Sequence, residues 1–121
     1  MSTLKQVISR INGSMMPKFQ GRKACLLGIA EGVDSSGLSF QLKTCDNVNV
    51  KVYLTEPLNE YVGGLTEVFG EVSSNTSINC HDYVLFTKEQ TDSFDMEMYN
   101  TAVEMISKYP EKYLVGVRNV K

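Results

Sequence analysis

The sequence has no tryptophan, one histidine and three cysteines among its 121 residues, and this limits the chemistry it can perform. Cys25, Cys45 and Cys80 are widely spaced and odd in number. They indicate reduced thiols rather than disulfides or a zinc site, which would need close pairs of ligands. Because His81 is the only histidine, a Ser/His or Cys/His catalytic device has one possible base. We therefore predict no metal, no cofactor and no enzymatic activity.

Long apolar runs and an excess of basic residues are also missing. No stretch approaches the roughly 18 apolar residues that a membrane span requires. The N-terminal residues lack the apolar block and cleavage site of a secretory signal. The net charge is −2, whereas a protein that binds nucleic acid by itself usually carries a basic excess that neutralises phosphates. We expect a single-domain intracellular protein with no membrane partner and little nucleic-acid affinity of its own.

The middle of the chain has the apolar period of β-strands. A short connector follows the third predicted strand, and one or two helical turns are expected in it after Pro57. Glycines inside strands, such as Gly28, suggest bends where a sheet curls. The predicted strands are 23–33, 38–43, 48–54, 65–72 and 76–86. This order is typical of a mainly β, five-stranded Greek-key barrel of the oligonucleotide/oligosaccharide-binding (OB) fold, with an SH3-like barrel as the alternative.

The chain divides into three predicted parts. Residues 1–22 form an N-terminal arm, in which 3–11 is either a weak helix or a loosely ordered segment. Residues 23–88 form the barrel. Residues 89–121 form a polar link, a C-terminal amphipathic helix for oligomerisation and a tail without a clear period.

Residues 94–109 have the period of an α-helix that ends at Tyr109-Pro110. The apolar arc covers roughly 180°, which is wider than the stripe of about 100° that packing on one core requires. Such a helix is expected to contact two surfaces, its own barrel and another chain. The residues predicted to bind the partner are Met98, Tyr99, Ala102, Val103, Met105, Ile106 and Tyr109.

The solvent side of the second and third predicted strands offers a candidate nucleic-acid surface. OB-folds bind oligonucleotides on this side. Lys43 and Lys51 could contact phosphates, and Tyr53 could stack on a base. Strong binders usually offer several aromatic residues here. A solvated strand face is therefore the favoured interpretation, and a weak auxiliary DNA contact is the alternative.

Several short motifs together resemble a known family. Arg10-Ile11-Asn12 and Phe19 lie before the barrel, and Glu56-Pro57-Leu58 lies within it. The other matching segments are Val68-Phe69-Gly70-Glu71-Val72, Ser93-Phe94-Asp95 and Tyr99-Asn100. In this order and spacing they resemble the small subunit of eukaryotic replication protein A, from about Arg10 to Gly116.

The resemblance implies a noncatalytic, nuclear subunit of a heterotrimeric single-stranded DNA-binding complex for replication, repair and recombination. It implies that the C-terminal helix packs with one helix from each of two larger OB-fold subunits, which hold most of the DNA. Two alternatives stay open. One is the small OB subunit of a related telomere- or telomerase-associated complex. The other is a freestanding OB module that binds an oligonucleotide or a peptide.

Overall fold

The computed structural model describes residues 8–109. Six strands, a 3-10 helix and two α-helices follow one another along the chain. They are β1 (Ser9–Arg10), the 3-10 helix (Gly13–Phe19), β2 (Lys23–Glu31), β3 (Ser39–Thr44), β4 (Asn49–Tyr53), β5 (Gly64–Ser74), β6 (Ser77–Leu85), α1 (Lys88–Ser93) and α2 (Met96–Lys108). No helix in this part of the chain is long and apolar enough to cross a membrane.

Strands β2 to β6 close into a barrel. The sheet order is β1-β2-β3-β4-β6-β5. The additional pairing of β2 with β5 closes the barrel, and β1 lies outside it as an added edge strand. The β4–β6 pair is parallel, while the other pairs within the barrel are antiparallel. The five barrel strands correspond to the five predicted strands, and the Greek-key OB-fold barrel is confirmed.

The barrel core follows from alternation in β3 and β4. Phe40 and Leu42 of β3 and Val50 and Val52 of β4 are buried, at 0 to 1% exposure, whereas the residues between and beside them at 41, 43, 49 and 51 are partly or fully exposed. Successive strand residues face opposite sides, so one half of each strand lines the barrel interior. Other members of the core include Leu26, Val68, Val72 and Ile78, with Ile11 and Met16 near the N-terminus.

Two glycines lie where strands approach too closely for a side chain. A Cβ at Gly28 would lie 2.2 Å from the Lys43 carbonyl oxygen, and a Cβ at Gly70 would lie 2.1 Å from that of Asn79. The pairing of β5 with β6 shifts between Phe69 and Gly70. Phe69 pairs with Asp82 and Gly70 pairs with Cys80, so His81 is the extra residue of a β-bulge in β6.

Asp46 fixes the 3-10 helix against the β3–β4 turn. Its carboxylate accepts hydrogen bonds from the backbone N–H groups of Gly13, at 2.8 Å, and Ser14, at 3.0 Å, and from the Thr44 hydroxyl. Burial alone would raise the pKa of Asp46, but these hydrogen bonds outweigh it and the pKa is lowered.

Two helix predictions are wrong. Residues 8–11 are not helical, because Ser9–Arg10 pairs in parallel with β2 and buries Ile11. Residues 3–7 of that predicted helix lie outside the described residues. The connector at 56–62 has no helical turn. There Leu58 donates its N–H to the Gly37 carbonyl, and Val62 is buried in the core, so contacts with distant parts of the chain hold this segment in a non-helical conformation.

The C-terminal helix is confirmed, and a further helix precedes it. The polar link forms α1, whose N-terminus is a capping box between Thr87 and Gln90. Asp95 caps α2 by accepting the Met98 N–H at 2.9 Å. Lys108 lies in the last turn, where a positive charge is favourable. The tail at 110–121 lies outside the described residues.

Candidate partner interface

One side of α2 rests on the barrel. Within α2, which is described in full, Val103 is the buried residue, at 2% exposure. Tyr99, one turn earlier, is half-buried, and its ring packs against Phe94 with 5.7 Å between the centroids. Residues four apart lie on the same helix face. Tyr99 and Val103 therefore contact the chain's own barrel, and they are the two predicted partner residues least available to another chain.

Polar side chains also attach α2 to the barrel. The Asn12 amide donates to Asn100 Oδ1 at 2.8 Å, and the Cys45 thiol donates to the same oxygen at 3.4 Å. Asn12 is fully buried, so its amide needs an internal partner. These contacts fix the rotation of α2 about its own axis.

A second polar cluster lies beside Tyr99. The Arg10 guanidinium forms an ion pair with Glu67, and the Cys25 thiol donates to the same carboxylate oxygen at 3.1 Å. The buried Tyr99 hydroxyl has no hydrogen-bond partner of normal geometry among residues 8–109. Burial raises the pKa of Tyr99, and the nearby Arg10 guanidinium opposes that rise. The cluster joins β1, β2, β5 and α2.

The remaining apolar side of α2 faces solvent. Met98 is 68% exposed, Met105 45%, Ile106 38% and Tyr109 54%, and Ala102 is also exposed. We call these five residues the open face of α2. The sequence predicted them together with Tyr99 and Val103, and the structure divides that set between a barrel side and a solvent side. Partner contact at the open face stays a prediction.

A groove lies beside the open face. Its volume is about 620 Å³, and it separates α1 and α2 from the outer surface of β2 and β5. We call it the α1–α2 groove. Its apolar walls are Leu27, Leu65, Phe86, Phe94, Met98 and Ala102. The groove was not predicted from the sequence, because its walls come from four separate elements, β2, β5, α1 and α2, and from the segments before and after α1.

The candidate nucleic-acid residues share one surface, the outer face of the β3–β4 hairpin. Gln41 pairs with Lys51, and Lys43 pairs with Asn49. Lys43, Lys51 and Tyr53 are exposed. The Lys51 ammonium lies 5.2 Å from the centroid of the Tyr53 ring, within the range of a cation–π interaction. The structure brings the predicted residues together, but it places one aromatic ring rather than several on this face.

The cysteines do not form a reactive site. All three are buried and unpaired. Burial raises the pKa of Cys25 to about 12 and those of Cys45 and Cys80 to about 11. At neutral pH these groups are therefore thiols, whereas the thiolate is the nucleophile and metal ligand. Among residues 8–109, no three His, Cys, Asp or Glu side chains are grouped to hold a metal ion.

Solved structures share the fold. Replication protein A of U. maydis bound to single-stranded DNA superposes with a TM-score of 0.72 at 21% identity, over 86% of this chain and 93% of that one. The telomere capping protein Ten1 of S. pombe superposes at 0.64 with 12% identity, over 84% and 99% of the two chains. The S. pombe Stn1–Ten1 complex gives 0.64 at 10% identity, over 85% and 94%.

The sequence identifies the family of the chain. A family model described as replication factor A protein 3 matches residues 1–113, which is nearly the whole chain. The motifs that suggested the resemblance, from Arg10-Ile11-Asn12 to Tyr99-Asn100, all fall inside that range. The chain therefore belongs to the replication factor A protein 3 family.

Proposed function

We propose that this chain is a noncatalytic structural subunit of a heterotrimeric complex that binds single-stranded DNA in replication, repair and recombination. The open face of α2 supports this most directly. Four of its five members are large side chains, which leave apolar area in water when the chain is alone. In the proposed complex this face packs against one helix from each of two larger OB-fold subunits.

The energetics favour shared burial of the open face. Fully burying a large apolar side chain contributes about 1.5–3 kcal/mol. Met98, Met105, Ile106 and Tyr109 each keep a third or more of their surface exposed. Ala102 lies among them and lets another helix approach closely. Methionines also adapt their shape to a partner.

Co-purification with the larger subunits tests the proposal. Met105→Asp/Ile106→Asp puts two charges on the open face and should abolish recovery of the complex. The circular dichroism of the isolated variant should match wild type, because neither side chain is buried in the barrel. Thr101→Asp/Ser107→Asp is the matched control. It adds the same charge at exposed positions outside the open face and should co-purify normally. Normal recovery of the Met105/Ile106 variant would contradict the proposed role of α2.

DNA is expected to contact mainly the larger subunits. Two lysines and one tyrosine on the β3–β4 face allow a weak auxiliary contact, and the net charge of −2 does not add to it. Fluorescence anisotropy with an oligothymidine at low salt should give affinity weaker than micromolar for the isolated chain. Micromolar or tighter binding that Lys51→Glu removes and Lys18→Glu retains would assign DNA binding to this face. Lys18 is exposed and lies outside the hairpin, so it controls for charge alone.

Two other assignments predict different partners. A telomere-type complex would share the fold, as Ten1 does, and mass spectrometry of the co-purifying large subunits from nuclear extract would identify it. Recovery from that extract would also support the proposed nuclear location. A freestanding OB module should be a soluble monomer in light scattering, whereas an uncovered open face should promote self-association.

A further inference from the structure

The α1–α2 groove and the open face form one continuous surface. Met98 and Ala102 belong to both, since they line the groove and are exposed on α2. A helix packed along the open face would therefore pass over the mouth of the groove. At Ala102 the side chain is a single methyl group, so that helix could approach closely beside the opening.

The charged groups at the groove already have partners within the chain. Glu67, on the barrel side, pairs with Arg10 and accepts the Cys25 thiol. Asp95, near the start of α2, accepts the Met98 N–H. An incoming charged side chain would have to compete with these contacts, whereas an apolar side chain would contact mainly Leu27, Leu65 and Phe86.

We propose that the α1–α2 groove receives a bulky apolar side chain from the partner helix that packs on the open face of α2. The inference rests on the proposed function and adds a specific contact to it. The partner binds through an inserted side chain as well as through helix packing. The groove residues on β2, β5 and α1 then belong to the interface, although they lie outside the C-terminal helix.

Filling the groove tests the inference. Ser93 is exposed and lines the groove from α1, so Ser93→Trp places a large ring at the opening without removing a core side chain. Affinity for the purified pair of larger subunits, measured by biolayer interferometry with the full chain, should fall at least tenfold. Ser35→Trp, in the exposed β2–β3 turn, adds a surface tryptophan outside the groove and should stay within twofold of wild type.

A second variant covers the case in which Ser93→Trp lowers the melting temperature. Phe86→Ala removes one wall of the groove and leaves the opening free, and we expect a three- to tenfold loss of affinity. If the folded groove variants bind as tightly as wild type, the inference is overturned. The proposed function fails separately, if the Met105/Ile106 variant binds normally. A homodimer of the isolated chain that Ser93→Trp dissociates would assign the groove to a second copy and overturn the inference.

Discussion

Val103 and Met98 should have opposite roles, although both are apolar residues of the same helix. Val103 is 2% exposed against the barrel, and Met98 is 68% exposed on the open face. Val103→Ala should therefore destabilise the isolated chain clearly more than Met98→Ala does. Binding to the larger subunits should respond to Met98→Ala even though the isolated fold is unchanged.

The magnitudes follow from these exposures. Val103→Ala removes two buried carbons at about 0.8 kcal/mol each, and the cavity left behind brings the loss to about 2 kcal/mol. Met98 buries about a third of its surface, so Met98→Ala should remove about 0.5–1 kcal/mol, part of which alanine's helix propensity returns. Burial of the other two thirds by a partner would contribute about 1–2 kcal/mol. That is a loss of affinity of roughly 5- to 30-fold in the variant.

Urea unfolding of the isolated variants and binding to the purified larger subunits measure the two effects. The expected result is a separation: a lower free energy of unfolding for Val103→Ala, and weaker binding with near-normal stability for Met98→Ala. The reasoning is refuted if Met98→Ala destabilises the isolated chain as much as Val103→Ala does. That result would mean that Met98 packs on its own barrel in solution.

Three further substitutions probe the contacts around the helix and barrel. Tyr99→Phe removes a buried hydroxyl that has no hydrogen-bond partner of normal geometry among residues 8–109, so thermal melting should show equal or higher stability, and a loss above about 1 kcal/mol would indicate a bond to Arg10. Asp46 has a lowered folded pKa, so its stabilisation is full above about pH 4 and lost as pH falls through the folded value. Asp46→Asn should flatten that acid-side slope in denaturant titrations at pH 2.5 to 7. Gly70→Ala should cost about 1–3 kcal/mol in urea unfolding, because its Cβ would overlap the Asn79 carbonyl; unchanged stability would show that β5 and β6 separate freely.

Local periodicity explains why most of the barrel could be predicted from sequence. Phe40, Leu42, Val50 and Val52 alternate with polar residues, and each is buried as that pattern requires. The start of α2 is also set locally, because Asp95 caps it by accepting the N–H of Met98, three residues later. In both cases the determining residues are neighbours in sequence, so the pattern alone carries the information.

Contacts between distant parts of the chain were not predictable in this way. Ser9–Arg10 joins the sheet by parallel pairing with Ala24 and Cys25, and nothing in its local pattern distinguishes that strand from a helix. The connector at 56–62 is held by the hydrogen bond from the Leu58 N–H to the Gly37 carbonyl in the β2–β3 turn. By contrast, the start of α1 could have been predicted, because Thr87 and Gln90 have the spacing of a capping box. The segment was interpreted as a link because its residues are polar and show no apolar period.

The rotation of α2 about its axis matters more for the proposed interface than the width of its apolar arc. A half-apolar helix could turn its whole apolar side toward its own sheet and leave only polar residues in water. Here Asn100, from the polar side, bonds to the buried Asn12 amide, which lies 88 residues away in sequence. That bond and the contacts of Tyr99 and Val103 turn one boundary of the apolar arc, rather than its centre, toward the barrel. Most of the apolar arc is consequently left in solvent, so the barrel-facing contacts of α2 determine which surface remains for another chain.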